Sequence, residues 1–271
     1  MKNTGNPVLS AALSSARFAG RRASARFAAP PQIETLIVDV DRTITREDSP
    51  KLALEALCGK EEAGRIFHSI IKSAVLGRIP LESINSEVFG ELYKRGFRRG
   101  DWVSLMESQE RSGGLRLDLV DAISSLWADR GLEIVFATRS SEDAAKWLAR
   151  RFGFGHAIGS REKSLNGSFE GFSRMIGVAD GIYLGSEMLT KMTAASRLLA
   201  ESGRRLDPMR TAVLTNDLLD AFEMLASARG VLLVPREKNT LEKLTGAFHL
   251  YDATIREDGD VRMQLNEALG F

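Results

Sequence analysis

Cysteine is almost missing from this chain of 271 residues: Cys58 stands alone, so no intramolecular disulfide and no thiolate zinc cage can form, as suits a reducing compartment. Histidine is nearly as scarce, and His68, His156 and His249 lie too far apart in sequence for metal-ligand spacing. No stretch approaches the roughly 18 consecutive apolar residues of a membrane span. Nor does charge of one sign dominate. The 37 Lys and Arg against 36 Asp and Glu leave a formal net charge of +1, which excludes a strongly basic nucleic-acid binder. What is present is ordinary for a folded globular protein, 44% apolar and 27% charged residues, and this excludes wholesale disorder.

Acid is wholly missing from one place. Residues 1–33 carry Lys2, Arg17, Arg21, Arg22 and Arg26 without a single Asp or Glu, so the remainder holds 32 basic against 36 acidic residues. This leader is rich in Ala, Ser and Arg and closes on Pro30-Pro31, the composition of an organellar transit peptide. The plainer reading is a disordered basic tail from an arginine-rich proteome, since Arg outnumbers Lys 27 to 10 across the chain. Residues 1–31 stand outside the fold on either reading. The plainer one places the protein in the cytoplasm, the other in an organellar matrix.

Past Pro31 the chain alternates apolar runs with helical patterns. Leu36–Val38, Leu132–Ala137, Thr211–Leu214 and Val231–Val234 are apolar or β-branched runs interrupted only by Glu133, as expected of strands buried on both faces. Helical stretches lie between the later ones, Ser141–Phe152 opening on a Ser cap and Lys191–Ser202 following Thr190. Strand–helix alternation predicts an α/β fold with a doubly wound, Rossmann-like parallel sheet, in which ligands sit at the carboxyl ends of the strands. Segment 46–116 breaks the rhythm with four amphipathic helices, Ser49–Cys58, Lys60–Leu76, Ser83–Tyr93 and Asp101–Gln109, and reads as an inserted all-helical cap. The α/β core then comprises 33–45 and 117–271. Asn166-Gly167 inside Leu165–Phe172 predicts a β-hairpin.

The strongest local feature is Asp39-Val40-Asp41-Arg42-Thr43, directly after the first apolar run. Two carboxylates two residues apart beyond a strand end can face one ligand. A hard dication such as Mg²⁺ takes oxygen ligands of this kind together with substrate phosphate. One carboxylate can then act as a nucleophile while the other moves protons. A pair of aspartates ending a strand in a turn is the alternative.

With these residues in place the chain resembles the haloacid dehalogenase superfamily of phosphohydrolases, over roughly residues 33–240. The family's first motif, D-x-D-x-T, matches Asp39, Asp41 and Thr43. Its second, a Thr or Ser after an apolar strand, matches Thr138 in IVFATRSS. Its third, a Lys near a helix start, matches Lys191 in LTKMTAASRLL. Its acidic fourth motif matches Asp217 and Asp220 in AVLTNDLLDAFEML. The resemblance implies that Asp39 is the phosphorylated nucleophile and Asp41 the general acid/base. Thr138 would hold a phosphoryl oxygen, Lys191 would balance charge, and Asp39, Asp41 and Asp217 would hold Mg²⁺. The helical segment between the first two motifs, which stand 99 residues apart, and the hairpin after the second are similar to the phosphoserine-phosphatase-like branch.

Three departures from the family pattern bear on the site. Asn216, not Asp, stands four residues before Asp220, so either Asp217 or Asn216 completes the metal site. Asp217 is favoured, because a carboxylate binds Mg²⁺ better than an amide. Arg42 replaces a small residue and either clamps an anionic substrate or faces solvent. Arg139 follows Thr138 where the phosphoserine branch has glycine; its N–H can cradle phosphate and its side chain can narrow the pocket.

Of the cap residues, Asp48 falls near the family's substrate-reading Glu, whereas Glu87 lies where an Arg is expected, which speaks against phosphoserine itself. Arg78, Arg95, Arg98 and Arg99 read as solvated helix-end charges, and Cys58 and the histidines as structural. Gly153, Gly155 and Gly159 do not have dinucleotide-loop spacing. The expectation is a Mg²⁺-dependent phosphatase acting on a small phosphorylated metabolite through an aspartyl-phosphate. A phosphotransferase to an alcohol, and a catalytically weakened binding or regulatory relative, are the alternatives.

Overall fold

The computed structural model of the chain describes residues 32–217, 220–234 and 253–271; the basic leader and His249 lie outside the described residues. The first apolar run forms β1 (Thr35–Asp39), buried along its whole length. The later runs form β2 (Glu133–Ser141), β7 (Thr211–Thr215) and β8 (Arg229–Val234). Leu36 and Val38 point to one face of the sheet and Ile37 to the other, each into a separate apolar cluster. Non-alternating apolar runs are therefore what this sheet requires: a strand covered on both sides has no solvent face on which to alternate.

The predicted Asn-Gly hairpin is present, with Asn166 and Gly167 at φ +50° and +80°, joining β3 (His156–Leu165) to β4 (Ser168–Ile176). Both strands run beyond the 165–172 expected. Three short strands carried too little pattern to be anticipated: β5 (Gly181–Tyr183), β6 (Ser186–Leu189) and β9 (Ala253–Arg256). Among the described residues nine strands order as β5-β6-β4-β3-β2-β1-β7-β8-β9, with β1 near the middle, parallel to both β2 and β7. The β3–β4 and β5–β6 pairs are antiparallel.

Four helices follow β1 in the inserted segment, α1 (Ser49–Cys58), α2 (Lys60–Val75), α3 (Ile84–Lys94) and α4 (Asp101–Arg111), and a fifth, α5 (Leu117–Arg130), leads into β2. Together α5, α6 (Glu142–Arg151) and α9 (Val261–Leu269) cover one sheet face, while α7 (Lys191–Glu201) and α8 (Ala221–Ala226) cover the other. The expected caps are in place, Ser141 accepting from the Asp143 N–H and Thr190 from the Thr193 N–H.

The α1–α4 segment is joined to the β3–β4 hairpin by aromatic packing. Phe89 of α3 lies 5.3 Å from the Trp102 ring, 5.1 Å from Phe172 and 6.0 Å from Phe169. Such ring pairs contribute about 0.5–1.5 kcal/mol each beyond their area. Buried among them, Glu162 of β3 accepts from Tyr93 Oη at 2.5 Å and Trp102 Nε1 at 2.6 Å. Arg99 pairs with Asp143 and Arg151 with Glu110, so two ion pairs also cross between the helical segment and α6; Arg99 is thus not the free helix-end charge expected. Cys58 is half-buried, its thiol 3.1 Å from the Leu54 carbonyl, and Gly153 follows α6 at φ +80°. Among the described residues no helix is long and apolar enough to cross a membrane.

Candidate functional site

Because β1 is central, its last residue opens onto the strand ends where β2 and β7 also finish. Asp39 sits there, only 5% exposed. Lys191, the first residue of α7, is still more deeply buried, and its Nζ lies 2.6 Å from Asp39 Oδ1 and 2.5 Å from Asp220 Oδ2. Asp220 in turn pairs with the Arg139 guanidinium, which also reaches Asp217 Oδ2 at 2.7 Å. Acid and base thus alternate along one chain that runs from the buried interior to a partly exposed end: Asp39, Lys191, Asp220, Arg139, Asp217. Such an arrangement lowers the cost of burying charge, because each ion has an opposite neighbour.

The electrostatics follow from depth and neighbours. Burial pushes the Asp39 carboxyl up to about 7, with Lys191 pulling against it and Asp220 and Asp41 adding to the rise. For Asp220 burial acts the same way, but Lys191 and Arg139 outweigh it and hold the group below its ordinary value. Burial works against the Lys191 ammonium, yet Asp220 and Asp39 overcome it and raise its pKa, so Lys191 stays charged. Beside it, Glu223 accepts the Lys191 N–H at 2.7 Å on one oxygen while the other has no hydrogen-bond partner. Burial, then the Asp220 charge, push Glu223 up to about 8, which leaves it protonated near neutrality.

Asp41 is held separately. Its Oδ1 accepts the Ser49 N–H at 2.7 Å and the Ser49 hydroxyl, and its Oδ2 accepts the Thr138 hydroxyl at 2.7 Å. Thr138 also accepts the Ser140 N–H at 3.0 Å, which keeps its hydroxyl hydrogen aimed at Asp41. The loop between is tight. The N–H groups of Thr43, Ile44 and Thr45 all turn toward the Val40 carbonyl, and Arg42 takes φ +59°. That conformation leaves the Arg42 side chain exposed while its N–H donates to Thr45 Oγ1 at 3.1 Å. Thr43 is fully buried; its hydroxyl accepts the Asn216 N–H at 3.0 Å and lies 3.0 Å from Asp39 Oδ2 and 3.2 Å from Asn216 Oδ1.

Asp39, Asp41, Thr138, Arg139, Lys191 and Asp217 are therefore brought to one set of strand ends, and Arg42 is the expected site residue left at the surface. Arg139 turns its side chain onto Asp217 and Asp220, while its carbonyl accepts from Asn85 Nδ2 at 3.0 Å and Ser160 Oγ at 2.6 Å. Of the cap candidates, Glu87 is exposed; Asp48, at the start of α1, is pushed up to about 6 by burial and then by Asp41. Ser49, Asn85 and Glu223 belong to the site without having been foreseen. A Ser next to a helix-starting Pro was a visible signal for Ser49, and Glu223 stood in the fourth-motif segment, whereas nothing in sequence pointed to Asn85.

A divalent cation would meet only hard oxygens here, which suits Mg²⁺. The side-chain donors that converge are Asp39 and Asn216, which share the Thr43 hydroxyl, and the Asp41 main-chain carbonyl belongs to the same turn. Asp217 instead faces Arg139. Among the described residues no three His, Cys, Asp or Glu side chains are grouped to hold a metal. The donor set fits Mg²⁺ with one carboxylate and one carboxamide, a weaker set than two carboxylates.

No protein-family model matches the chain, and no curated protein sequence does. The fold, however, has clear counterparts. A phosphoserine phosphohydrolase-like protein from Francisella tularensis superposes with a TM-score of 0.56 at 13% identity, covering 87% of this chain and 99% of its own. A HAD family hydrolase from Salmonella enterica serovar Typhi gives 0.58 at 11% identity, covering 83% and 73%. A phosphoserine phosphatase carrying a phospho-aspartyl intermediate analogue gives 0.50 at 15% identity, covering 88% and 99%. The chain thus has the α/β fold of haloacid dehalogenase-type hydrolases.

Proposed function

We propose that this protein is a phosphatase for a small phosphate monoester, with Asp39 as nucleophile and Asp41 as general acid and base. The observation that carries the reading is the pairing of a buried Asp39 on Lys191 with an independently held Asp41 two residues on, at the end of the central strand. An Asp39 oxygen attacks phosphorus as the bond to the leaving oxygen breaks, and the Asp41 carboxylic acid gives that oxygen its proton. The Asp41 carboxylate then takes a proton from water, which attacks the phosphorus of the aspartyl-phosphate, releases inorganic phosphate and regenerates Asp39.

Lys191 neutralises charge on Asp39 and the transferring group throughout. Ser49 keeps Asp41 aimed at the position of the leaving oxygen, and the Thr138 hydroxyl, which donates to Asp41 in the free site, turns its one hydrogen to a phosphoryl oxygen when substrate is present. Mg²⁺, held by Asp39, the Asp41 carbonyl and Asn216, would add positive charge against the phosphoryl oxygens. Residues 46–116 act as the cap over the core of 33–45 and 117–271. They exclude bulk water and restrict the site to small substrates.

A second reading has specific support. Asn216 in the metal position, with Asp217 withdrawn onto Arg139, favours a weakened relative that binds phosphorylated ligands without turning them over quickly. Phosphate release from an aryl phosphate and from a panel of small monoesters, with and without Mg²⁺, separates the two. Mg²⁺-dependent turnover that vanishes in Asp39→Asn supports the phosphatase. Ligand binding without turnover supports the weakened relative.

A further inference from the structure

Arg116 lies outside every motif yet is 6% exposed, and its guanidinium is fully engaged at the base of the nucleophile loop. Nη1 donates to the main-chain carbonyls of Arg42 at 2.7 Å, Thr43 at 3.0 Å and Thr45 at 2.8 Å. Nε lies 2.7 Å from Glu257 Oε1, and Nη2 lies 2.5 Å from the same oxygen. The Arg116 N–H adds a bond to the Ile44 carbonyl at 2.8 Å, and the Arg46 N–H returns one to Gly114. The chain leaves for the helical segment and comes back from it at this point, with Thr45 bridged to Leu115.

The loop has a one-sided hydrogen-bond pattern. Three N–H groups converge on the Val40 carbonyl, so the carbonyls of 42, 43 and 45 face away from it with no partner in their own turn. Arg116 supplies that partner. A planar fork fixed at its other edge by a carboxylate can hold several carbonyls in one geometry, which a lysine ammonium cannot do.

We propose that Arg116, anchored by Glu257, is a positioning residue that sets the backbone of residues 42–45 and, through the Thr43 hydroxyl, the orientation of Asp39. The catalytic part of this assignment rests on the phosphatase reading above. It also gives the C-terminal segment a role at the site, because Glu257 follows β9 and reaches Asp39 only by way of Arg116 and Thr43.

The test compares full-length wild type, Arg116→Lys, Glu257→Gln and Asp39→Asn, by amide hydrogen exchange and by phosphate release from a panel of small monoesters. The amides of Thr43, Ile44 and Thr45 are expected to exchange about tenfold faster in Arg116→Lys and Glu257→Gln, while those of β2 and β7 keep wild-type rates. In the same variants kcat is expected to fall about 30-fold and about 5-fold respectively, with KM within about twofold of wild type, as for a small misplacement of reacting groups. A merely structural contact would speed exchange throughout or leave kcat alone. Unchanged exchange at 43–45 in both variants overturns the proposal, and so does faster exchange with unchanged kcat. If wild type hydrolyses none of the panel, or Asp39→Asn hydrolyses it equally well, the phosphatase reading falls. The exchange rates at 43–45 then decide by themselves whether Arg116 sets the loop.

Discussion

Lys191 Nζ sits 2.6 Å from Asp39 Oδ1 although 152 positions separate the two residues, and Asp220 holds the same ammonium from its other side. One buried cation therefore compensates two buried carboxylates, with Arg139 sharing the second. Removing the cation leaves Asp39 buried without its ammonium partner and Asp220 with Arg139 alone.

Lys191→Met is accordingly expected to destabilise the fold by about 3–5 kcal/mol, the usual cost of breaking a buried ion pair from one side. Urea unfolding measures this. Phosphate release by the folded fraction should also be lost. A variant of wild-type stability would mean that the pair carries little weight in the native state.

A second expectation concerns acid. Glu142, at the start of α6, is buried, which raises its pKa, but Arg161, Lys146 and Arg174 overcome this and hold it down to about 2. A carboxyl depressed on folding stabilises the native state above its ordinary value of 4.5 and loses that contribution as pH falls through about 2. The stability gap between wild type and Glu142→Gln, read from unfolding at several pH values, should be full above pH 4.5 and close progressively below it. A gap that does not change between pH 6 and pH 3 would contradict the assignment.

The metal position offers a third. Asn216→Asp replaces a carboxamide by a carboxylate at the Thr43 hydroxyl that Asp39 also meets, and is expected to tighten Mg²⁺ binding about tenfold by calorimetry. Asp217→Asn should change that affinity little, since Asp217 faces Arg139. Loss of binding in Asp217→Asn would restore the assignment that charge alone favoured.

Phe89 provides the fourth. It touches Trp102, Phe169 and Phe172 and is fully buried. Phe89→Ala should cost about 3–5 kcal/mol. Hydrogen exchange should show α3 and α4 loosening more than β1 and β2, because this cluster ties the helical segment to the β3–β4 hairpin.

Residue order alone determined a good deal here. Apolar runs without alternation required strands covered on both faces, and β1, β2, β7 and β8 are those strands. Ser141 and Thr190 announced helix starts, and Asn166-Gly167 announced a hairpin, because these depend on local backbone preferences. Asp39, Asp41, Thr138 and Lys191 were legible because each follows an apolar run or opens a helix, and a parallel sheet gathers such positions at one edge. Tertiary structure decided what local rules do not reach. Asn216 meets the Thr43 hydroxyl that Asp39 also meets, while Asp217 faces Arg139, a choice set by how the loop after β7 meets a guanidinium from β2, on the far side of β1. The φ of Arg42 sends its side chain to the surface. Asn85 and the Arg116–Glu257 pair join the site from segments with no motif of their own. The physical reason is the same in each case: hydrogen bonds and ion pairs between distant segments depend on where the sheet brings backbones together, and a linear pattern carries no record of that.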